Sequence, residues 1–220
     1  FYTGRFLSDE RSINILAADV FPKATDHIAE MIEIIESLLD QGFAYAVNGN
    51  VYYSVKSFPG YGMLSGNVQE SLLREAVRVE VDSLKRDPRD FTLWKSAEAG
   101  RELKWDSPWG EGFPGWHIEC SAMSRKHLGT TIDIHAGGQD LVFPHHENEL
   151  AQSRCCHDGA EFARGWMHNG YLTVEGEKMS KSLGNFFTVR DVLAKAPGEA
   201  IRYNMLGTHY RQPVDWTDAG

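Results

Sequence analysis

The sequence predicts an α/β protein with a mixed α+β stretch at its N-terminal side. Three observations carry this. Residues 26–41 hold apolar side chains at helical spacing, and a hairpin signal follows directly. From Trp116 onward, segments of strand composition alternate with helical ones, the pattern of a parallel sheet with crossover helices. Glycine and proline clusters separate these segments.

Residues 1–25 have only a short apolar patch at Ile13, Ile15 and Leu16, and Pro22 interrupts them. Thr25 or Asp26 can cap the next helix. Ile28, Ile32, Ile35, Leu38 and Leu39 form its stripe, Glu30, Glu33 and Glu36 lie on or beside the opposite face, and Gly42 stops it. Phe43–Val47 and Val51–Val55 are aromatic and β-branched around Asn48-Gly-Asn50, which predicts a hairpin with a three-residue turn. Residues 57–67 read as loop, 71–76 as a short helix and 77–81 as extended. The charged run from Lys85 to Asp90 reads as a solvated turn.

Phe91–Lys95 reads as a strand and 96–115, rich in Gly, Pro and Trp, as a packed irregular loop. Helices are predicted over 117–128, over 145–157 behind Pro144, after Thr188 with Asp191 as capping-box partner, and over 199–208. Strands are predicted at 131–135 and 170–174.

Bulk properties narrow the class. An apolar fraction of 42% and a charged fraction of 24% are those of a soluble globular protein. No apolar run approaches the roughly 18 residues of a membrane span. Three cysteines, two of them adjacent, make no disulfide framework and point to a reducing cytoplasm. A net charge of −9 argues against autonomous nucleic-acid binding.

Chemistry concentrates in three places. Gly176-Glu-Lys-Met-Ser-Lys-Ser-Leu-Gly-Asn185 puts Lys178, Lys181, Ser180 and Ser182 on a glycine-bracketed loop, suited to a polyphosphate whose charge grows during reaction. His145 and Glu149 are four apart on a predicted helix, and Cys120 lies near the first turn of the previous one. The three residue types are zinc ligands, yet from spacing alone a buried cysteine and a surface His/Glu pair remain the alternative. Gly137-Gly-Gln-Asp140 follows a strand, where glycine admits a nucleotide and a carboxylate can grip ribose hydroxyls, or it is a plain turn.

Lys178-Met-Ser-Lys-Ser182 resembles the signature loop of class I aminoacyl-tRNA synthetases. Taken with Gly115-Trp-His-Ile-Glu-Cys-Ser-Ala-Met123 and Phe143-Pro-His-His-Glu-Asn-Glu149, the chain resembles the cysteinyl-tRNA synthetase family over nearly all of its length. The resemblance implies the C-terminal half of a class I Rossmann-like catalytic domain at 91–208, a connective insertion at 1–90 and the start of a stem-contact region at 209–220. It implies activation of cysteine with ATP and Mg2+ and transfer to tRNA(Cys) by a cytoplasmic monomer. Lys178 and Lys181 would then be catalytic. Lys181, Gly138, Asp140, Met179, Ser180 and Ser182 would contact ATP, and Trp116 and His135 the cysteine. One Zn2+ would be held by Cys120, His145 and Glu149, with a fourth ligand upstream of Phe1. Cys155 and Cys156 are read as packing residues.

The His-x-Gly-His signature is not in these residues, so the segment alone is expected to be inactive, with tRNA contacts mostly outside it. Two other readings share features. A cysteine:amino-sugar ligase of mycothiol synthesis has the same zinc, adenylate step and lysine loop, and Tyr61–Gly66 and Phe186–Asp191 favour the synthetase over it. A non-catalytic zinc-binding paralogue has no use for an intact lysine loop.

Overall fold

A computed structural model describes residues 1–67 and 82–217. The helix and extended segment expected over 71–81 lie outside these residues. The chain forms two compact units. One comprises Pro22–His135 and Asp140–Trp166, the other Phe1–Phe21, Ala136–Gln139 and Met167–Gly220.

In the first unit, helix α2 (Ile28–Asp40) packs on a four-stranded antiparallel sheet made of β1 (Ala44–Val47), β2 (Asn50–Tyr53), β3 (Phe91–Ser96) and β4 (Gly112–Pro114), in that order. Helices α3 (Trp116–Leu128) and α4 (Glu147–Cys156) complete the layer. The buried face of α2 is Met31, Ile34, Ile35 and Leu38, with Ile28, Ile32 and Leu39 packed at its margin. These meet Val51 and Tyr53 of β2, Leu93 and Trp94 of β3, Ile118 and Ala122 of α3, and Ala151 and Cys155 of α4. Each fully buried apolar side chain contributes roughly 1.5–3 kcal/mol, so this face outweighs any helix propensity.

Several local expectations are corrected. The N-cap of α2 is His27, without a side-chain cap bond, because Thr25 and Asp26 are taken up in a one-turn 3-10 helix at Ala24–Asp26. The hairpin turn has two residues, Asn48 and Gly49, both at positive φ, with Val47 paired to Asn50. This is the backbone that an Asn-Gly pair favours. The loop over 96–115 returns as β4, which closes the sheet.

The run at 85–90 is not a solvated turn. Asp87, Arg89 and Asp90 are all buried. Asp87 accepts from Arg89 Nε at 2.9 Å and Nη2 at 3.0 Å, and it pairs with Lys56 at 2.9 Å. Asp90 accepts from Tyr45 Oη at 2.8 Å and from Val55 N at 3.0 Å. Its charges are hidden because each has a fixed partner. The Arg89 guanidinium, ahead of burial, holds the Asp87 carboxyl far below the ordinary carboxylate range.

Gly115 joins β4 to α3 and lies against β3. Its N–H donates to Leu93 O at 2.8 Å, and a Cβ there would lie 2.0 Å from Thr92 O. The N-terminal turn of α3, with Trp116, His117 and Cys120 on its first turns, is therefore set directly against the sheet.

Strands β5 (Ile132–Gly138) and β6 (Ala163–Asn169) pair, and β6 lies ahead of the strand predicted at 170–174. In the second unit β7 (Leu172–Val174) pairs antiparallel with β8 (Glu177–Lys178) and parallel with β9 (Val214–Trp216). Helix α5 (Val189–Leu193) begins with the Thr188–Asp191 capping box and α6 (Gly198–Leu206) follows. Helix α1 (Tyr2–Ser12) was not anticipated. It buries none of its residues, so no apolar stripe announced it.

Candidate active site

Helix α4 is mostly polar, yet Glu147, Asn148, Glu149, Gln152 and Ser153 are all buried. A buried polar side chain needs partners. Glu147 Oε2 accepts from Ser65 N at 2.9 Å, Asn148 Oδ1 accepts from Tyr61 Oη, and Gln152 Oε1 accepts from Ser121 Oγ at 2.7 Å. The loop at Tyr61–Gly66 and helix α3 thus hold α4 in register. His145 and His146 enter it through a kinked turn at Val142–His146, in which Phe143 is extended.

Glu149 is fully buried. Its Oε1 lies 2.6 Å from His145 Nε2 and its Oε2 lies 2.7 Å from His135 Nε2. Neither approach is aligned as a hydrogen bond, so both oxygens and His135 Nε2 lack a hydrogen-bond partner. Close donors that do not point at one another are the geometry of groups converging on a shared cation. Cys120 Sγ, a His145 ring nitrogen and a Glu149 oxygen lie within 4.8 Å of one another. His135, His146 and Glu149 meet the same limit. A thiol, an imidazole and a carboxylate fit zinc as a donor set.

The electrostatics follow from burial and neighbours. Burial opposes the charged form of Glu149, but the two imidazoles at its oxygens outweigh it and hold the carboxyl down. Burial, reinforced by Glu149 and Glu119, pushes the Cys120 thiol up to about 12. Burial lowers His117 to about 4, with His145 adding to the effect.

Around this group, Trp116 stacks on His145 with ring centroids 4.2 Å apart, while its own side chain stays largely exposed. His117 Nδ1 lies 2.8 Å from His145 Nδ1. His146 is buried, 4.5 Å from His135 and 5.5 Å from Trp166, ring centre to ring centre. The structure therefore brings together Cys120, His145, Glu149, His135 and Trp116. The sequence motifs assign no role to His117, Glu119 or His146. The signal available was a helix of weak apolar patterning, Glu147–Cys156, beside a His-rich turn. Cys155 sits in the hydrophobic core, as expected of a packing residue.

The lysine loop belongs to the other unit. It leaves the β7–β8 hairpin, whose turn residues Glu175 and Gly176 both have positive φ. Asp215 Oδ1 of β9 accepts from Gly176 N at 2.9 Å and Thr173 Oγ1 at 2.7 Å, which pins that turn. Asn185 folds the loop back: its Oδ1 accepts from Ser180 N at 2.9 Å and its Nδ2 donates to Lys178 O at 3.3 Å. Ser180 Oγ lies 3.2 Å from Ser182 Oγ and accepts from Leu183 N. Gly184 takes positive φ at the far end. Lys178 and Lys181 are both exposed. Gly138 ends β5 and Asp140 sits in the 3-10 turn Gln139–Leu141.

A family profile described as the tRNA synthetases class I (C) catalytic domain matches residues 2–220. The cysteine–tRNA ligase of Rhodospirillum rubrum is 60% identical over 218 residues, which cover 99% of this chain and 47% of that protein. That of Desulfitobacterium hafniense is 57% identical over 217 residues, covering 99% and 45%. The chain thus spans about half the length of these relatives. Among solved structures, Mycobacterium tuberculosis methionyl-tRNA synthetase with methionyl-adenylate superposes at a TM-score of 0.68 and 16% identity, over 97% of this chain and 52% of that one. A putative arginyl-tRNA synthetase from Campylobacter jejuni superposes at 0.56 and 13% identity, over 95% and 37%. At such identities the superpositions establish the α/β fold. With the profile matching almost every residue, the chain belongs to the class I tRNA synthetase catalytic-domain family.

Proposed function

We propose that the protein carrying this chain is a cysteine–tRNA ligase. The cysteine carboxylate attacks the α-phosphorus of ATP, the bond to pyrophosphate breaks, and a tRNA(Cys) ribose hydroxyl then takes the cysteinyl group from AMP. The observation that carries this reading is the convergence of Cys120, His145 and Glu149, with both Glu149 oxygens buried and free of aligned hydrogen bonds. These three side chains would hold one Zn2+.

Zinc bound there supplies a site that prefers a thiolate to a hydroxyl, which a shaped pocket alone separates poorly. The chain's own residues do the rest. Trp116 and His135 border the cysteine side chain. Gly138 admits the nucleotide, Asp140 holds its ribose, and Met179, Ser180 and Ser182 seat ATP with its Mg2+. Lys178 and Lys181 neutralise the pyrophosphate as it leaves.

Residues 1–90 would act as the connective insertion, 91–208 as the second half of the catalytic domain and 209–220 as the start of the stem-contact region. A net charge of −9 supports placing most tRNA contacts elsewhere in the protein, which we take to be a cytoplasmic monomer. Among the described residues no helix is long and apolar enough to cross a membrane.

The test is cysteine-dependent ATP–pyrophosphate exchange with the intact protein, alongside its zinc content. One zinc per chain, exchange with cysteine and little with serine are expected. Cys120→Ala should lower zinc content and exchange together. Exchange that does not distinguish cysteine from serine would refute the reading. The 220-residue chain expressed alone is expected to give no exchange.

A further inference from the structure

The two lysines of the loop are not equivalent. Lys178 Nζ lies 4.1 Å from the centroid of the Tyr171 ring, within the range of a cation–π contact. The ring stands on fixed backbone: Tyr171 O accepts from Val214 N at 2.9 Å, and Gly170 N donates to Tyr210 O at 2.7 Å. The backbone under the lysine is fixed too. Lys178 pairs with Thr173 across the hairpin, Met179 N donates to Leu172 O at 3.0 Å, and Asp215 holds the turn. Tyr171 stands two residues before Thr173, just ahead of β7, so Lys178, paired with Thr173, reaches the ring diagonally. An ammonium seated on the ring can meet a phosphate that lies out of its reach there only by leaving the ring.

We propose that Tyr171 is a positioning residue: its ring is the resting seat of Lys178, and a nucleoside triphosphate must draw Lys178 off it. The proposal rests on the reading of Lys178 as a phosphate-binding lysine. An exposed cation–π contact opposes transfer of the ammonium by about two- to fivefold in equilibrium. Removing the ring therefore lowers the KM for ATP by about that factor and leaves kcat unchanged, because the seat is vacated before chemistry in either case.

The experiment uses the intact protein with 13C-labelled lysine. Lys178 is assigned from the signal lost in Lys178→Arg, and Lys181 from that lost in Lys181→Arg. The expected result has four parts. The Lys178 ε-protons stand upfield of ordinary lysines, Tyr171→Phe keeps them there, Tyr171→Leu returns them to the ordinary position, and Mg–ATP does the same in the unaltered protein. Pyrophosphate exchange then shows the lower KM in Tyr171→Leu only. An ordinary Lys178 position without ligand, or one that Tyr171→Leu does not change, overturns the seat. A KM in Tyr171→Leu that is unchanged or raised overturns the competition. If Mg–ATP moves neither the Lys178 nor the Lys181 signal, the phosphate-binding reading of the loop fails, and the proposal with it. If it moves Lys181 alone, that reading survives and the proposal does not.

Discussion

Nδ1 of His117 and Nδ1 of His145 lie 2.8 Å apart, so one of the two nitrogens carries the shared proton and the other accepts it. The other nitrogen of His145, Nε2, faces Glu149 at 2.6 Å. For His145 to ligate through Nε2, its Nδ1 must hold the proton and donate to His117. His117 would thus select the tautomer of a metal ligand, as outer partners of ligating histidines do. His117→Ala is expected to weaken zinc binding on the order of 10–100-fold with the fold intact. Chelator competition measures this, and unchanged affinity would show that the contact does not orient the ligand.

Gly115 cannot accept a side chain, since a Cβ would lie 2.0 Å from Thr92 O, a backbone atom. Gly115→Ala must push the start of α3 off β3. Overpacking of this kind costs about 1–3 kcal/mol, occasionally more. Because Cys120 rides on α3, zinc affinity should fall along with the unfolding midpoint. Loss of stability with unchanged zinc affinity would show that the strain is absorbed before it reaches the site.

Acid should act through Asp87. Its folded carboxyl lies below the ordinary value of about 3.9, because Arg89 and then other donors favour the charged form. A depressed carboxylate contributes stability that is complete above the unfolded value and is lost as pH falls below it. Asp87→Asn is therefore expected to cost about 3 kcal/mol at pH 7, the scale for breaking a buried ion pair, and to flatten the acid limb below about pH 4. Denaturant unfolding at neutral and acid pH checks both. Parallel acid limbs in the two proteins would assign acid sensitivity to other carboxylates.

Glu175 occupies a left-handed backbone position, φ 52°, ahead of Gly176 at 81°. Asparagine tolerates that conformation better than glutamate. Glu175→Asn should stabilise the hairpin by up to about 1 kcal/mol, read as slower amide exchange at Glu177 and Met179, the donors of its ladder. Faster exchange would mean that the Glu175 side chain supports the turn.

Much of the fold was legible locally. The helix at α2, the hairpin at Asn48-Gly49 and the Thr188–Asp191 box are patterns within a few residues, where periodicity and turn chemistry act directly. The buried face of α2 nonetheless includes Met31 and Ile34 outside the expected stripe, and the turn is one residue shorter than expected. Helix α1 was not legible, because a helix that buries nothing leaves no periodic trace. The buried Asp87–Arg89 pair was misread as surface, since charge in a sequence says nothing of whether a partner will be supplied.

By itself the sequence determined the class of the chain and the candidate chemistry: the lysine loop, the cysteine–histidine–glutamate ligand types and the glycine turns are residue identities, and they need no fold to be read. Only the tertiary structure decided that the polar helix α4 is buried, that Glu149 stands between His135 and His145, and that His117 meets His145 across 28 residues of chain. The reason is physical. Residue type sets what an atom can donate or accept, but which atoms share a dry site depends on chain closure over tens of residues, and burial then turns that closeness into altered protonation and metal affinity.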